Sequence, residues 1–325
     1  MAVNDAGIPS LDAVLHPVTM TRHLRQVLPE RWGPIRDIQF QILKRHRTRC
    51  TFAISWPGPH GWRMVIGKVF AVDRADVYRA MEAIRRAGFG PDEEFSIPEP
   101  LAYIPDLRLL LQEHVPGPRA KQVLVTGSER DRAAAADRAA QWLARFQAIG
   151  PRIGEADRVD DLLQTCERWS RGVTDVGGSL AEKATRLGGE LEGIARWLRP
   201  IELCAGHHHY TGGQILLSER RTATIDWDGY ALADPAADAA TFVVDLKRIG
   251  WKNPSSNEAL GQVATFFVMK YFSLVPPAIR VNLPFYAAAR CLRLAYNDVE
   301  HREAGWCEKA GAMLDEGLRI LQRGL

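Results

Sequence analysis

The densest group of polar residues lies between positions 204 and 238, where two short apolar runs are bordered by groups that suit a metal or phosphate site. Gln214 precedes the run at 215–217, and Asp226 and Asp228 follow a second run that begins at Ala223. In phosphoryl transfer, carboxylate and amide oxygens hold Mg²⁺ against the phosphates while another group orients the attacking hydroxyl. The pattern therefore favours phosphoryl-transfer chemistry.

The same segment resembles the aminoglycoside phosphotransferase and choline-kinase-like family. The resemblance places Gln214 on the amide metal ligand and Asp226, in Ile-Asp-Trp, on the carboxylate metal ligand. Asp234-Pro235 and Asp238 match a closing Asp-Pro-x-x-Asp motif, which in that family mainly braces the catalytic loop. Membership would imply ATP or GTP and Mg²⁺ as cofactors.

Asp228 has two interpretations that the sequence leaves open. Its carboxylate could contact a second magnesium ion beside the one assigned to Asp226. An aspartate after a strand also commonly caps a turn without any further role.

The catalytic loop departs from the family signature His-Gly-Asp. Counting five residues back from Gln214 reaches His209, where the family has its catalytic aspartate. His208 stands for the usual glycine, and His207 keeps the usual histidine. An alignment through Ala205-Gly206-His207 needs a two-residue insertion and supplies no aspartate either.

The histidine triplet allows three interpretations. His207 and His209 could share a metal ion if the loop is extended, although no third ligand is evident. His209 could be the catalytic base, because the ordinary histidine pKa of about 6.5 suits a group that accepts a hydroxyl proton near neutrality. The loop could also be degenerate, because a neutral imidazole lacks the charge of a carboxylate.

Lys68, in Val-Ile-Gly-Lys-Val-Phe, is placed like the phosphate-contacting lysine of the family. Glu82 on the following helix is the best candidate for its ion-pair partner, with Glu93 and Glu94 as competitors. The alternative for Lys68 is a half-buried strand lysine whose ammonium simply reaches solvent.

Two other N-terminal segments resemble nucleotide-contacting parts of the family. Residues 109–115 resemble the hinge strand, whose backbone at Glu113 and Val115 would meet the adenine. The basic turn 44–49 replaces the nucleotide-covering loop and lacks its glycines, so Arg47 or Arg49 would contact the phosphates. The alternative for this turn is a solvated hairpin tip.

The expected elements change type along the chain. Alternating apolar residues predict strands, and apolar residues at helical spacing predict helices. The predicted strands are 38–42, 52–56, 62–70, 99–103 and 107–115. The predicted helices are a short one at 20–27 and longer ones at 74–88, 129–149, 179–198, 257–274, 284–304 and 306–323.

Composition limits the classes of partner. The 42 Lys and Arg residues against 39 Asp and Glu give a net charge of +3, too small to predict a nucleic-acid partner. Five widely spaced cysteines predict neither a zinc site nor a disulfide framework. Without a signal-peptide or membrane-span pattern, we expect a cytoplasmic protein with no membrane partner. The oligomeric state is not readable.

These patterns predict an α+β protein with a β-rich part before a helical part, and the family resemblance implies the two-lobed, protein-kinase-like fold. Residues 1–35 are expected to be a leader packed on the body, 36–115 the nucleotide-binding N-lobe and 116–325 the C-lobe. The predicted function is phosphoryl transfer to a small hydroxylated molecule. The alternative is a pseudokinase that binds nucleotide or acts as a scaffold. Acidic residues are sparse between 239 and 297, which argues against a polycationic aminoglycoside as substrate.

Aromatic residues in the C-terminal helices are candidates for an apolar substrate pocket, although most are expected to be core. These residues are Trp251, Phe266, Phe267, Tyr271, Phe272, Tyr286 and Tyr296.

Overall fold

A computed structural model describes residues 7–59 and 61–325, which form two compact units. The first unit contains the described residues up to Gly117 together with Ser218–Asp228. The second contains Pro118–Leu217 and Gly229–Leu325. The chain therefore passes from one unit to the other three times.

The described residues form ten strands and eleven α-helices. The strands are β1 (Gln39–Arg45), β2 (Arg49–Gly58), β3 (Gly61–Phe70), β4 (Phe95–Ser96), β5 (Pro100–Ile104), β6 (Leu109–Glu113), β7 (Cys204–Gly206), β8 (Ile215–Leu217), β9 (Thr222–Thr224) and β10 (Ala231–Ala233). The helices are α1 (Leu11–Val14), α2 (Pro17–Val27), α3 (Ala75–Arg86), α4 (Ala120–Thr126), α5 (Glu129–Ile149), α6 (Val159–Thr174), α7 (Gly178–Ala195), α8 (Ala236–Lys252), α9 (Asn257–Leu274), α10 (Ile279–His301) and α11 (Trp306–Arg323).

The first unit is built on a five-stranded antiparallel sheet in the order β1-β2-β3-β6-β5. Strand β2 shows why the segment folds this way, because Phe52, Ile54 and Trp56 alternate with more exposed residues and are fully buried. Side chains two residues apart share one face of a strand, so one face of β2 enters the core. All five predicted strands of the N-terminal half fall in this sheet.

The predicted leader contributes to the core of the first unit. Leu11 and Val14 on α1 and Met20 and Leu24 on α2 belong to the same buried cluster as the inner face of β2. Burying an aliphatic side chain of this size stabilises a fold by about 1.5–3 kcal/mol. Residues 1–6 of the predicted leader lie outside the described residues.

Segment 218–228 belongs to the first unit, although the predicted C-lobe of 116–325 included it. Strand β9 of this segment pairs in parallel with β4, with Phe95 opposite Thr222. The predicted boundaries missed this return because parallel pairing between short, distant strands leaves no local pattern in the sequence.

The second unit is a bundle of helices. Helix α5 begins at a capping box, in which Ser128 and Asp131 exchange hydrogen bonds with each other's backbone N–H. Its small buried residues let α9 pack closely against it, and α10 packs against α6, α8 and α11. Phe267 and Tyr271 of α9 are buried in this bundle, as expected for core aromatics.

Helices α9 and α11 span the residues that the apolar spacing predicted. Helices α1, α4, α6 and α8 were not predicted. Helix α6 starts after Arg158, whose side chain makes no capping hydrogen bond, so the usual sequence signal for a helix start is missing. No helix in the described part of the chain is both long and apolar enough to cross a membrane.

Gly67 on β3 provides a test of the sheet packing. Gly67 lies opposite Phe52 of β2, and a Cβ at this position would lie 2.5 Å from the Phe52 ring. We expect Gly67→Ala to lower the free energy of unfolding by about 1–3 kcal/mol, because overpacking forces the ring or the strand to move. Urea unfolding measures the change.

Gly90→Ala is the matched control, because a Cβ there meets no atom within 4 Å. Equal stability of the Gly67→Ala and Gly90→Ala proteins would contradict the described packing of Phe52.

Candidate active site

Lys68 on β3 is almost fully buried and is paired with two carboxylates of segment 218–228. Its side-chain Nζ donates to Asp228 Oδ1 at 2.6 Å and to Asp226 Oδ1. Only 7% of Lys68 is exposed, and a buried ammonium is costly unless it is paired and hydrogen-bonded. The structure therefore brings together three residues that the sequence analysis selected separately.

Two arginines also contact Asp228. Arg49 Nη1 lies 3.4 Å from Asp228 Oδ2, and Arg74 Nη2 donates to the Asp228 carbonyl oxygen at 2.7 Å. Arg49 was a predicted site residue, whereas Arg74 was not. Arg74 stands 154 residues before Asp228, so no local motif links the two.

The turn that carries these carboxylates has an unusual backbone. Asp226 has φ of +74°, in the left-handed region that non-glycine residues rarely adopt. Trp227 Nε1 donates to the Thr224 carbonyl oxygen at 3.0 Å. This hydrogen bond from a buried indole ring holds the turn in place. Residues held in such conformations cluster at functional sites.

The expected ion pair between Lys68 and Glu82 is wrong. Glu82 instead accepts hydrogen bonds from Arg85 at 3.3 Å and Arg86 at 2.7 Å, both on its own helix α3. Partners three and four residues away lie on the same helix face, so they reach Glu82 without any tertiary contact.

Glu113 has a structural partner that the sequence analysis missed. Its carboxylate accepts both Nη groups of Arg221, at 2.5 and 3.0 Å, and also the Glu99 backbone N–H at 3.0 Å. The Glu113 backbone N–H donates to the Glu99 carbonyl oxygen at 2.9 Å. That N–H is therefore engaged within the protein, and the expected contact of the Glu113 backbone with a nucleotide stays a prediction. Val115 is buried after β6, and its role stays a prediction.

The basic turn between β1 and β2 is solvated at its tip. Arg47 is exposed there, in agreement with the hairpin-tip alternative, whereas Arg49 reaches Asp228. Burial, with the charges of Lys44 and Arg49, lowers the pKa of the neighbouring His46, and the charge of Asp226 opposes this. The turn is thus electropositive next to the carboxylates.

In the second unit, the histidine loop leaves β7, which pairs antiparallel with β10. Asp238 Oδ2 accepts the His207 backbone N–H at 2.6 Å, and His207 Nδ1 accepts the His209 backbone N–H at 3.2 Å. His207 is fully buried, whereas the His209 side chain is exposed. The buried histidine shapes the loop, whereas the His209 side chain faces solvent.

His208 occupies the position where the family has glycine, and its backbone has φ of +63°. Its ring Nδ1 lies 3.0 Å from Asp157 Oδ2. Burial disfavours the charged ring, but the hydrogen bond from His208 to Asp157 and the charge of Asp238 outweigh burial and raise the pKa above 6.5. No local pattern in the sequence indicated the contact between His208 and Asp157.

Asp234 and Asp238 hold different parts of the surrounding structure. Asp238 contacts the loop directly, whereas Asp234 Oδ1 accepts the Ala236 N–H at 2.8 Å and Oδ2 accepts Asn282 Nδ2 at 2.7 Å. Burial raises the pKa of Asp234 despite these hydrogen bonds. Asp234 therefore fixes the start of α8 to α10.

Gln214 ends the turn Gly212–Gln214 in the second unit, and its backbone N–H donates to the Thr211 carbonyl oxygen at 2.9 Å. Because Asp226 belongs to the first unit, a metal ion shared by Gln214 and Asp226 stays a prediction.

Asp226 and Asp228 fit a magnesium ion by the chemistry of their oxygens. Both carboxylates converge on Lys68 Nζ, and Asp228 Oδ2 is buried without a hydrogen-bond partner despite the nearby Arg49. Hard oxygen ligands of this kind are those that Mg²⁺ uses. Among the residues that the structure describes, no group of three His, Cys, Asp or Glu side chains is arranged to hold a metal, so the histidine triplet gains no third ligand.

The raised pKa of His208 predicts a pH-dependent contribution to stability. The stabilisation is fully present below the unfolded-state pKa of about 6.5 and is lost as the pH rises through the higher folded-state pKa. We expect Asp157→Asn to cost roughly 0.2–1 kcal/mol of unfolding free energy near about pH 5.5 and nothing near about pH 9. Denaturant unfolding at both pH values measures this difference.

Asp160→Asn, a neighbouring exposed change at the start of α6, is the control for altered surface charge. A cost of Asp157→Asn that does not vary with pH would contradict the His208 contact.

Comparison with known proteins agrees with the predicted resemblance. The model of the phosphotransferase enzyme family matches residues 68–267, which is more than half of the chain. No curated protein matches the sequence significantly.

Solved structures share the fold at low identity. A thermostable mutant of aminoglycoside phosphotransferase APH(4)-Ia, in a ternary complex with ADP and hygromycin B, is 18% identical with a TM-score of 0.63, over 91% of this chain and 96% of that one. A choline/ethanolamine kinase family protein from Mesorhizobium loti is 15% identical with a TM-score of 0.60, over 94% and 95%. Choline kinase from Cryptosporidium parvum Iowa II is 12% identical with a TM-score of 0.63, over 94% and 96%.

These likenesses confirm the predicted α+β, protein-kinase-like fold class. Together with the family match over residues 68–267, they confirm the predicted resemblance. This chain belongs to the phosphotransferase enzyme family.

Proposed function

We propose that this protein transfers the terminal phosphoryl group of a nucleoside triphosphate to a hydroxyl group of a small molecule. The observation that carries the proposal is the Lys68 ammonium held between Asp226 and Asp228. A cation beside paired carboxylates is what phosphoryl transfer uses to position and neutralise phosphates.

Lys68 would bind the phosphates, and Arg49 is a second cation beside the same carboxylates. Asp226, Asp228 and Gln214 would hold Mg²⁺, which when bound neutralises phosphate charge and orients the transferred group. With Mg²⁺ as their counter-charge, the two carboxylates would no longer need Lys68, whose ammonium could then bind a phosphate oxygen. The charges of Lys68, Asp226 and Asp228 would all stay paired in this state.

His209 would act as the base. The acceptor hydroxyl oxygen forms a bond to the terminal phosphorus, the bond from that phosphorus to the bridging oxygen breaks, and the nucleoside diphosphate leaves. The hydroxyl proton passes to the His209 imidazole. His207 and Asp238 position the loop through its backbone, so the exposed His209 ring starts from a fixed chain.

The nucleotide is proposed to be ATP. The comparison structures of APH(4)-Ia contain ADP in one complex and AMP-PNP in another, which supports an adenine nucleotide. GTP stays the alternative that a direct competition measurement distinguishes.

The second candidate is a pseudokinase that binds nucleotide and acts as a scaffold. The observation that favours it is the backbone of the histidine loop, where His208 adopts φ of +63° and contacts Asp157. In this interpretation the loop has been rebuilt for a structural purpose, and the cluster around Lys68 only binds nucleotide.

Nucleotide binding and transfer on designed variants separate these functions. ATP and GTP binding with Mg²⁺ is measured by calorimetry, and transfer is measured as nucleotide consumption with a panel of hydroxylated acceptors. We expect Asp226→Asn to lose Mg²⁺-dependent binding, because it removes a charge from the cation site. We expect His209→Ala to bind nucleotide normally and to lose about 10²–10⁴-fold in turnover, as for removal of a general base.

His301→Ala is the matched control, because His301 is exposed on α10. Wild-type turnover in His209→Ala would contradict the role of His209 as base. If wild type binds nucleotide without transfer and His209→Asp gains transfer, the pseudokinase is the correct alternative. An absence of nucleotide binding in the folded wild type would contradict both functions.

A further inference from the structure

The second unit contains a cavity of about 370 Å³ beside the histidine loop. His208 and Asp238 form its loop side, and residues of α6 and α10 form the opposite side. Arg290 and Arg293 of α10 line it, and both are partly buried. The cavity is large enough for a small organic molecule, and the proposed reaction does not use these two arginines.

Neither arginine is neutralised by a close carboxylate. Within the described part of the chain, no carboxylate oxygen lies within 4.0 Å of either guanidinium. The Nε atom of Arg290 is buried and has no hydrogen-bond partner. Burial and the charge of Arg293 lower the pKa of Arg290 to about 10, although Asp245 opposes the shift. Burial also lowers the pKa of Arg293.

Three carboxylates line the cavity, of which Asp157 and Asp161 are exposed and Asp238 is buried with its Oδ1 unpartnered among the described residues. Asp157 contacts the His208 ring, and Asp238 accepts the His207 backbone N–H. Asp161 and Arg158 both line the cavity near the start of α6, and both are exposed. The mixed charges at the edge therefore offset one another, and the charges farther from solvent are the two guanidinium groups and the buried Asp238 carboxylate.

The remaining walls suit the rest of a small amphipathic molecule. Arg293 Cζ lies 5.9 Å from the centroid of the Trp169 ring, so the aromatic ring and the guanidinium form one continuous surface. Leu162 adds apolar surface, and Thr165 and Thr241 add hydroxyl groups.

The sequence segment that contains the two arginines is also mostly basic. Residues 239–297, which include the arginines of the cavity, contain seven Lys and Arg residues against two carboxylates, Asp245 and Glu258. Of these seven, Arg290 and Arg293 line the cavity, and the wall that they form attracts an anionic group and repels a cationic one.

We propose that this cavity binds an oxyanion group of the acceptor, a carboxylate or a phosphate, so that the substrate is an acidic, hydroxylated small molecule. Arg290 and Arg293 would bind the oxyanion, because planar guanidinium groups match the geometry of both anions. Trp169 would cover its apolar part. This inference rests on the proposed phosphotransferase function, but its binding step is measurable without nucleotide.

Binding of simple probes to the full chain tests the proposal. The probes are benzoate, phenyl phosphate and the cation benzylamine, compared by calorimetry at constant ionic strength. We expect one or both anions to bind and benzylamine not to bind. Binding of benzoate alone identifies a carboxylate acceptor, and binding of phenyl phosphate alone identifies a phosphate ester. The same measurements are repeated on Lys68→Met. This variant excludes binding of phenyl phosphate at Lys68, the proposed site for the nucleotide phosphates.

Two pairs of variants link binding to the cavity. Arg293→Gln should weaken anion binding about 10- to 100-fold, whereas Arg280→Gln, on the exposed part of the same helix, should leave it unchanged. Thr165→Glu and Thr165→Gln differ only in charge within the cavity, so the glutamate variant should bind anions at least about tenfold more weakly. The Thr165 pair shows whether anions bind in the cavity even if Arg293→Gln does not fold.

The possible failures are distinguishable. Benzylamine binding, an absence of anion binding, or equal affinity in the two Thr165 variants would overturn the acidic-substrate proposal while leaving nucleotide binding at Lys68 intact. Anion binding that depends on Arg293, in a protein that transfers no phosphate to any acidic acceptor, would contradict the proposed reaction and support the binding site alone.

Discussion

The Lys68 ammonium cannot be buried in the first unit without opposite charge, and this requirement determines which parts of the chain assemble there. Its partners Asp226 and Asp228 come from a segment about 160 residues later in the sequence. Removing one partner of a buried ion pair typically costs about 3–5 kcal/mol, because the other charge is left uncompensated. The proposed catalytic groups are thus also structural groups. Nucleotide and Mg²⁺ would exchange one set of counter-charges for another.

The elements that the sequence predicted are those with a clean apolar period. Strand β2, with Phe52, Ile54 and Trp56 on one face, and helix α9, with a buried apolar face, are examples. Helix α8 was missed because it is buried on nearly every side, so residues 239–244 form an apolar run, broken only by Thr241, without helical spacing. Tertiary burial, and not local propensity, determines such a helix.

The residues of the candidate site also divide into those that a local sequence pattern indicates and those that it does not. Residues in a short motif, such as Asp226 and Asp238, could be selected from their neighbours in sequence. Contacts between distant segments could not, because nothing near Arg74 indicates its hydrogen bond to Asp228. The wrong prediction for Glu82 has the same origin. The family resemblance paired its carboxylate with Lys68, but Arg85 and Arg86 on α3 hydrogen-bond to it instead.

The return of segment 218–228 to the first unit makes neither unit continuous in sequence. A fragment that ended at Gly117 would contain the whole five-stranded sheet but would leave Lys68 without its carboxylates and Glu113 without Arg221. Folding of the first unit therefore has to wait for a segment made about a hundred residues later, and such non-local contacts slow folding. The sheet by itself is therefore an incomplete folding unit, because segment 218–228 supplies its missing charge partners.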